Sequence, residues 1–103
     1  MKRMRKTIRH PETMRRKRSS DPYAGIDRRV DFHGMTVAEA ERVISNVISS
    51  NPGQTVLINH GKGEGILRTA LRNFCSNDPR IKRIRKGEET VIPGGEGITI
   101  IEL

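Results

Sequence analysis

The clearest pattern in this chain lies in residues 30–71, which read VDFHGMTVAEAERVISNVISSNPGQTVLINHGKGEGILRTAL. The stretch opens with Val30-Asp31-Phe32, a short run with strand character. It passes into His33-Gly34, where the glycine permits a sharp turn. These residues predict a first β-strand that ends in a polar turn.

A helix is predicted directly after this turn. Thr36 followed three residues later by Glu39 is a capping box, which marks a helix start. Asn51-Pro52-Gly53 marks the helix end. Between them the apolar residues recur at helical spacing on one face, namely Val37, Ala40, Ile44, Val47 and Ile48.

The second half of the stretch repeats this strand-to-helix order. Thr55–Ile58 is a β-branched run too short for a helix, which is typical of a buried strand. It leads into the glycine-rich loop 60–65 and then a helix from about Ile66 to Ser76, which Asn77-Asp78-Pro79 ends. The inner face of this helix consists of Leu67, Ala70, Leu71 and Phe74.

Two more strands are predicted further along, at Ile81–Arg85 and Ile98–Leu103, joined by a stretch in which residues 93–97 are predicted to be a mobile loop. In the order β-α-β-α-β-β, the two helical crossovers make the first three strands parallel, and the last strand is antiparallel. Both helices of so short a unit can cover the same sheet face. We therefore predict an α/β two-layer sandwich with a four-stranded mixed sheet and two helices.

The charge of the chain is concentrated at one end. The net charge is +8, and residues 1–20 account for all of it, with nine basic side chains against one acidic. Such a segment cannot bury enough apolar surface to order itself, so we expect residues 1–22 to be a disordered basic tail and residues 23–103 to be the folded domain. Nucleic acid is the expected partner of the tail, through residues that include Lys2, Arg3, Arg15, Arg16, Lys17 and Arg18.

Composition narrows the other functional classes. The sequence has no apolar run long enough to span a membrane and no apolar signal core, so we expect a cytoplasmic protein without membrane contacts. A single cysteine, Cys75, lies in an apolar helical stripe and is interpreted as a core residue. One cysteine and no close histidine pair argue against zinc. With three aromatic residues in all, an aromatic platform for stacking bases is not expected.

Polar residues follow the first two strands, and ligands of open α/β sheets collect at the carboxyl ends of parallel strands. Asp31 and His33 lie at the end of the first strand. Residues two apart in a strand have side chains on the same face, so the Asp31 carboxylate can orient the His33 imidazole. His60 follows the second strand. We therefore expect the three side chains to meet at one edge.

The loop after the second strand has the features of a phosphate site. Gly61 and Gly63 allow backbone amides to approach an anion near a helix N-terminus, and Lys62 adds a positive charge. Arg68 is a possible second cation one turn into the helix. The loop lacks the spacing and the terminal Lys-Ser/Thr of a P-loop, and no acidic residue completes a dinucleotide fingerprint.

The motifs resemble those of the Smr (small MutS-related) domain family. Its D-L-H-G motif matches Asp31-Phe32-His33-Gly34, with Phe32 in place of the usual leucine. The H-G-x-G motif matches His60-Gly61-Lys62-Gly63, and a later G-G-x-G loop matches Gly94-Gly95-Glu96-Gly97. The match covers roughly residues 27–103.

The resemblance implies a fold similar to the C-terminal domain of bacterial translation initiation factor three. It also implies a nucleic-acid-binding endonuclease, since several members nick DNA or cut messenger RNA on stalled or collided ribosomes. Not every member cuts, so the alternative is a non-catalytic adaptor that binds nucleic acid or the ribosome.

For an RNA substrate the 2′-hydroxyl is the nucleophile, and His33, oriented by Asp31, shares the acid and base roles with His60. Lys62, the amides of Gly61 and Gly63, and Arg68 hold the phosphate. This mechanism requires no cofactor. A metal-dependent variant, in which Asp31 and a histidine hold a divalent ion that activates water, extends to DNA.

Overall fold

The structure is a computed structural model that describes residues 21–103. Its strands are β1 (Arg28–Asp31), β2 (Thr55–Asn59), β3 (Arg83–Lys86) and β4 (Ile98–Glu102), and its helices are α1 (Val37–Ser50) and α2 (Ile66–Ser76). Two short 3-10 turns, Gly87–Glu89 and Gly95–Gly97, lie between β3 and β4. The element order is the predicted one.

The four strands form one mixed sheet in the order β1-β2-β4-β3. β1 pairs with β2 in parallel, and β4 is antiparallel to both of its neighbours, β2 and β3. The first three strands therefore run in the same direction and the last runs against them, as predicted. Their carboxyl ends, at Asp31, Asn59 and Lys86, lie along one edge of the sheet.

The helices cover one face of the sheet. The main core joins apolar residues of both helices to the inward side chains of the strands, among them Val56, Ile58 and Ile101. Phe32 is fully buried in this core. Cys75 is also buried there, and burial raises the pKa of its thiol to about 12, so its predicted role as a core residue is confirmed.

The opposite face, which we call the helix-free face, has a smaller apolar cluster. Leu57, Ile98 and Ile100 of the sheet pack with Ile92 from the segment between β3 and β4. Tyr23 packs against this cluster from the segment before β1. The segment between β3 and β4 is thus packed onto the sheet through Ile92.

Strand bounds differ from the sequence-based ones by one or two residues. β1 covers Arg28–Asp31 and excludes Phe32, while β3 covers Arg83–Lys86 rather than Ile81–Arg85. The physical reason is tertiary pairing. Arg28 pairs with Val56, and Lys86 pairs with Thr99, so the partner strand determines where each strand begins and ends.

Candidate active site

The first strand ends in a turn that presents an acid and a histidine together. The amide of Phe32 still donates to the Asn59 carbonyl at 2.7 Å, and then Met35 N–H closes a turn on the Phe32 carbonyl at 3.1 Å. Gly34 has a φ of +84°, which favours glycine. His33 therefore lies in this turn and not in a strand, so strand alternation is not what brings it to Asp31.

Two hydrogen bonds join His33 to Asp31. The His33 backbone amide donates to Asp31 Oδ1 at 3.0 Å, and the ring Nδ1 lies 2.7 Å from the same oxygen. Because a carboxylate can only accept, Nδ1 is the protonated nitrogen. Hydrogen bonds from the ring and then from the amide of His33 lower the pKa of Asp31, which keeps the carboxylate ionised.

The pair is open to solvent. The side chains of His33 and Asp31 are 71% and 55% exposed. Within residues 21–103 the Nε2 of His33 makes no hydrogen bond. That nitrogen is free to exchange a proton with a ligand.

The second loop lies against the first. The amides of His60 and Gly61 both donate to the Gly97 carbonyl at 3.0 Å, and Gly61 N–H also reaches Asn59 Oδ1 at 3.1 Å. Gly61 has a φ of +79°, and a Cβ placed on it would lie 3.4 Å from the Cβ of His33. The two glycine-containing loops therefore meet at one edge of the sheet, as the topology predicts.

His60 is enclosed, in contrast to His33. It is 4% exposed, its Nε2 lies 2.9 Å from Thr99 Oγ1, and its Nδ1 lies 3.1 Å from the Gly61 carbonyl. A carbonyl accepts only, so Nδ1 carries the proton and Nε2 accepts from the Thr99 hydroxyl. Both ring nitrogens are thereby used within the fold.

The hydrogen-bond chain continues from Thr99 to α2. Arg72 Nε donates to Thr99 Oγ1 at 2.8 Å, and the two terminal nitrogens of Arg72 bind the Glu88 carboxylate at 3.1 and 2.8 Å. The Arg72 guanidinium lowers the pKa of Glu88 to about 2. Burial first, and the nearby Arg72 and Arg68 charges second, lower the pKa of His60, so its ring is neutral at pH 7.

Some of the predicted phosphate-binding groups are free to bind a ligand, and others already bond within the fold. Lys62 is exposed, and its stem packs against Gly97, where an added Cβ would lie 3.2 Å from Lys62 Cγ. Gly63 N–H makes no hydrogen bond within residues 21–103, whereas Gly61 N–H is used twice. Arg68 lies 3.7 Å from the Glu96 carboxylate, so its charge is partly countered.

Both loops line one cavity of about 620 Å³, which we call the active groove. His33 and His60 both line it, and loop 61–65 with the start of α2 forms the rest. The groove brings together His33, His60, Gly61, Lys62, Gly63 and Arg68. Asp31 reaches the groove through its bond to His33.

The other predicted binding residues belong to the basic tail. Lys2, Arg3, Arg15, Arg16, Lys17 and Arg18 are outside the described residues.

Among residues 21–103 no group of three or more histidine, cysteine or acidic side chains has a geometry that could hold a metal ion. Nor does that part of the chain contain a helix of the length and apolarity that crossing a membrane requires.

Sequence reasoning missed the buried partners of His60. Thr99 is the one polar residue in the otherwise apolar run Ile98–Ile101. That position was the available signal, because a polar group in a buried strand needs a partner. Arg72 and Glu88 gave no comparable signal.

Known proteins resemble this chain in sequence. The Smr domain model matches residues 30–103. Endonuclease MutS2 of Clostridium beijerinckii is 32% identical over the whole chain, and Endonuclease MutS2 of Caldicellulosiruptor bescii is 35% identical over 76% of it. The chain spans 14% and 10% of the length of these two relatives.

A solved structure agrees with the sequence matches. The Smr domain of Thermus thermophilus MutS2 superimposes with a TM-score of 0.66 at 33% identity, covering 74% of this chain and 96% of that domain. The match thus spans nearly all of the solved domain, and it has the α/β fold described above. This chain belongs to the Smr domain family.

Proposed function

We propose that this domain is an endonuclease that cleaves RNA, with the Asp31–His33 pair as its proton-transfer group. The observation that supports this most is the free, solvent-exposed Nε2 of His33, held in place through Nδ1 at the edge of a groove that also contains Lys62. The name of the relatives, Endonuclease MutS2, supports the same class of reaction.

The proposed reaction uses the substrate's own hydroxyl. His33 Nε2 takes the proton of the 2′-hydroxyl, O2′ attacks the adjacent phosphorus, and the bond from phosphorus to O5′ breaks. The protonated His33 then returns this proton to the leaving O5′ through a water molecule at the exposed edge of the groove, and its imidazole is neutral again. The products are a 2′,3′-cyclic phosphate and a 5′-hydroxyl, so all atoms and protons are accounted for.

Charge stabilisation is assigned to the second loop. Lys62 is the exposed cation of the active groove, and Gly63 N–H makes no hydrogen bond within residues 21–103. Both can bind the phosphate oxygens as negative charge develops. Arg68 has a smaller share, because Glu96 lies 3.7 Å away.

We assign His60 a positioning role in place of the share in proton transfer that its motif suggests. Its ring is buried, and both of its nitrogens are hydrogen-bonded within the fold. Its hydrogen bonds to the Gly61 carbonyl and to the Thr99 hydroxyl hold loop 60–65 next to the turn that contains His33.

The chemistry of the cut tests this mechanism. A labelled single-stranded RNA, its 2′-O-methyl form and DNA of the same sequence are incubated with the full chain, with and without excess EDTA. We expect cleavage of the unmodified RNA alone, a cyclic phosphate at the new end, and no effect of EDTA. Cleavage of DNA that EDTA abolishes would establish the metal-dependent variant instead.

The basic tail favours a second candidate, an adaptor that binds nucleic acid or ribosomes without cutting them. Nine basic side chains against one acidic predict binding that weakens steeply with salt. We expect three substrates to distinguish the adaptor from the endonuclease, namely single-stranded RNA, stalled ribosomes and supercoiled DNA. Salt-sensitive binding of any of them, with all of them left intact, would establish the adaptor.

A further inference from the structure

A second cavity lies on the helix-free face, directly behind the active groove. It has a volume of about 450 Å³, within the range of small-ligand pockets. Loop 59–62 forms its border with the active groove, because Asn59, Gly61 and Lys62 line both. We call it the base cavity.

The base cavity has an apolar floor and a polar border. Leu57 and Ile98, both buried in the second cluster, form the floor, and Tyr23 packs against that cluster from the side. Arg29 and Asp31 lie on the border. A flat ring with a polar rim matches such a cavity, and a nucleobase has this character.

Arg29 and Tyr23 form one wall. The Arg29 guanidinium lies over the Tyr23 ring, 4.4 Å from its centroid, and within residues 21–103 it makes no ion pair. The guanidinium is planar and stacks on rings, so this wall can pack against a base that enters the cavity.

Hydrogen-bonding groups remain available at the border. Asn59 Oδ1 accepts from Gly61 N–H, which fixes the orientation of the amide and leaves Nδ2 without a partner in residues 21–103. Asp31 uses Oδ1 for His33, and its Oδ2 makes no hydrogen bond within the same residues. With the Arg29 guanidinium, the lining of the cavity thus includes both donors and acceptors for the polar edge of a base.

We propose that the base cavity binds the unpaired base of a nucleotide adjacent to the phosphate in the active groove. Lys62 lines both cavities, so a nucleotide whose phosphate contacts Lys62 can place its base on the other side of loop 59–62. A base inside a duplex is stacked and cannot enter. This inference rests on the proposed function, and it makes single-stranded nucleic acid the substrate class.

The first experiment locates the base by NMR. Adenosine 5′-monophosphate and uridine 5′-monophosphate are titrated into the ¹⁵N-labelled full chain and compared with ribose 5-phosphate, which has no base. We expect all three to shift the Lys62 and Gly63 amides. Only the two nucleotides should shift Leu57, Asn59 and Ile98. Equal shifts with ribose 5-phosphate would overturn the base cavity.

The second experiment measures affinity with an RNA that cannot be cut. A short 2′-O-methyl RNA of mixed sequence is compared with versions that carry one abasic residue, moved along the strand. Every version has the same phosphates, so binding to the basic tail cancels. Losing the base that enters the cavity should weaken binding about tenfold, while a flat scan would contradict the proposal.

Variants assign the effect to the cavity. We expect Tyr23→Leu and Arg29→Gln each to reduce the difference between the intact and abasic RNA. Arg42→Gln, which removes an equal charge from the exposed side of α1, should leave it unchanged. Tyr23 is the only tyrosine in a chain without tryptophan, so quenching of its fluorescence by the intact RNA gives a direct signal in the wild type.

Failure of this proposal can be told apart from failure of the proposed function. Base-dependent binding without cleavage of any RNA would support the cavity and refute the endonuclease. Cleavage of RNA that Tyr23→Leu and Arg29→Gln leave unchanged, together with equal binding of all the abasic RNAs, would support the endonuclease and refute the base cavity.

Discussion

Asp31 and His33 contribute different atoms to the proposed reaction, so their variants should differ. His33→Ala removes the nitrogen that takes the proton and should lower the single-turnover cleavage rate by about 10² to 10⁴. Asp31→Asn keeps the shape but cannot hold Nδ1–H with a charged acceptor. Asp31→Asn should therefore lower the cleavage rate less than His33→Ala does. Quenched-flow cleavage of labelled RNA measures the rates of both variants.

A matched control exists for the loss of a carboxylate. Glu89 is exposed, and within residues 21–103 it forms no ion pair. Glu89→Gln should therefore cleave at the wild-type rate. Equal rates for the wild type, His33→Ala and Asp31→Asn would remove the pair from the mechanism.

Thr99 joins two buried groups through one oxygen. Thr99→Val has nearly the same volume but leaves His60 Nε2 and Arg72 Nε without their partner. An unsatisfied buried polar group costs about 1–3 kcal/mol, so the free energy of unfolding in urea should fall by that amount. A loss below the error of the measurement would show that water replaces the hydroxyl.

The lowered pKa of His60 makes stability depend on pH. Its ring is neutral when folded and takes a proton more readily when unfolded, so the unfolded state binds more protons as the pH falls through its ordinary value of about 6.5. Stability contributed by His60 is complete above that pH and is lost below it.

The measurement is the free energy of unfolding of the wild type and of His60→Gln from pH 8 to pH 5. We expect the wild-type curve to fall more steeply below about pH 6.5, by at most about 1.4 kcal/mol per pH unit for one proton. Other titrating groups are common to both proteins and cancel in the difference. Parallel curves would mean that His60 is not the group responsible.

At this scale the sequence predicted which residues meet but not what each one can do. Asp31, His33 and His60 come together because they end neighbouring strands, and that follows from local patterns. The engagement of His60 depends on Thr99, 39 residues further along the chain. A contact of that separation is set by sheet order, and no local pattern contains it.

At the scale of elements, the start of α1 is fixed by a capping box. Glu39 N–H donates to Thr36 Oγ1 at 3.2 Å, and Thr36 N–H donates to Glu39 Oε1 at 2.9 Å. Thr36→Ala removes the first of these bonds and should cost about 1 kcal/mol of stability. Thr69→Ala, an exposed substitution inside α2, is the control and should cost nothing, because alanine is the better helix former.

The cap also positions the active turn, since Thr36 follows Met35, whose amide closes the turn that contains His33. We therefore expect Thr36→Ala to slow cleavage in the folded state as well, which a rate measured well below the melting temperature would detect. Thr69→Ala provides the baseline rate.

Helix bounds were predictable and strand bounds were less so. α1 ends at Ser50 and α2 ends at Ser76, as the breakers Asn51-Pro52-Gly53 and Asn77-Asp78-Pro79 indicate, because those signals act within one turn of helix. Strand ends depend on the partner strand. The segment 87–97 shows the same limit, since a Cβ on Gly87 would lie 2.2 Å from the Gly95 carbonyl oxygen, a close approach that no local pattern reveals.

For the whole molecule, the parallel and antiparallel directions could be predicted, but the insertion of β4 between β2 and β3 could not. Directions follow from whether a helix lies between two strands, whereas order depends on which neighbour buries more apolar surface. That insertion places Thr99 beside Ile58 and Gly97 beneath loop 60–61, so the architecture of the site follows from it.

Charge is distributed unevenly between two parts of the chain. Residues 21–103 contain equal numbers of basic and acidic side chains, so the net charge of +8 belongs to residues 1–20. If the tail supplies affinity and the domain supplies chemistry, deleting residues 1–20 should weaken RNA binding at physiological salt and leave the circular dichroism spectrum of the domain intact. The salt dependence then shows how many contacts were lost.

The slope of log affinity against log salt should decrease by about 0.7 for each tail cation that contacts a single-stranded phosphate. A full-length variant with the nine basic residues of the tail changed to glutamine should behave like the deletion, which separates charge from length. At saturating concentrations of a short RNA both forms should cleave at the wild-type rate, because the active groove is built by residues 33–68. An unchanged slope would mean that the domain itself supplies the electrostatic contacts, and a lower rate at saturation would mean that the tail contributes to the reaction.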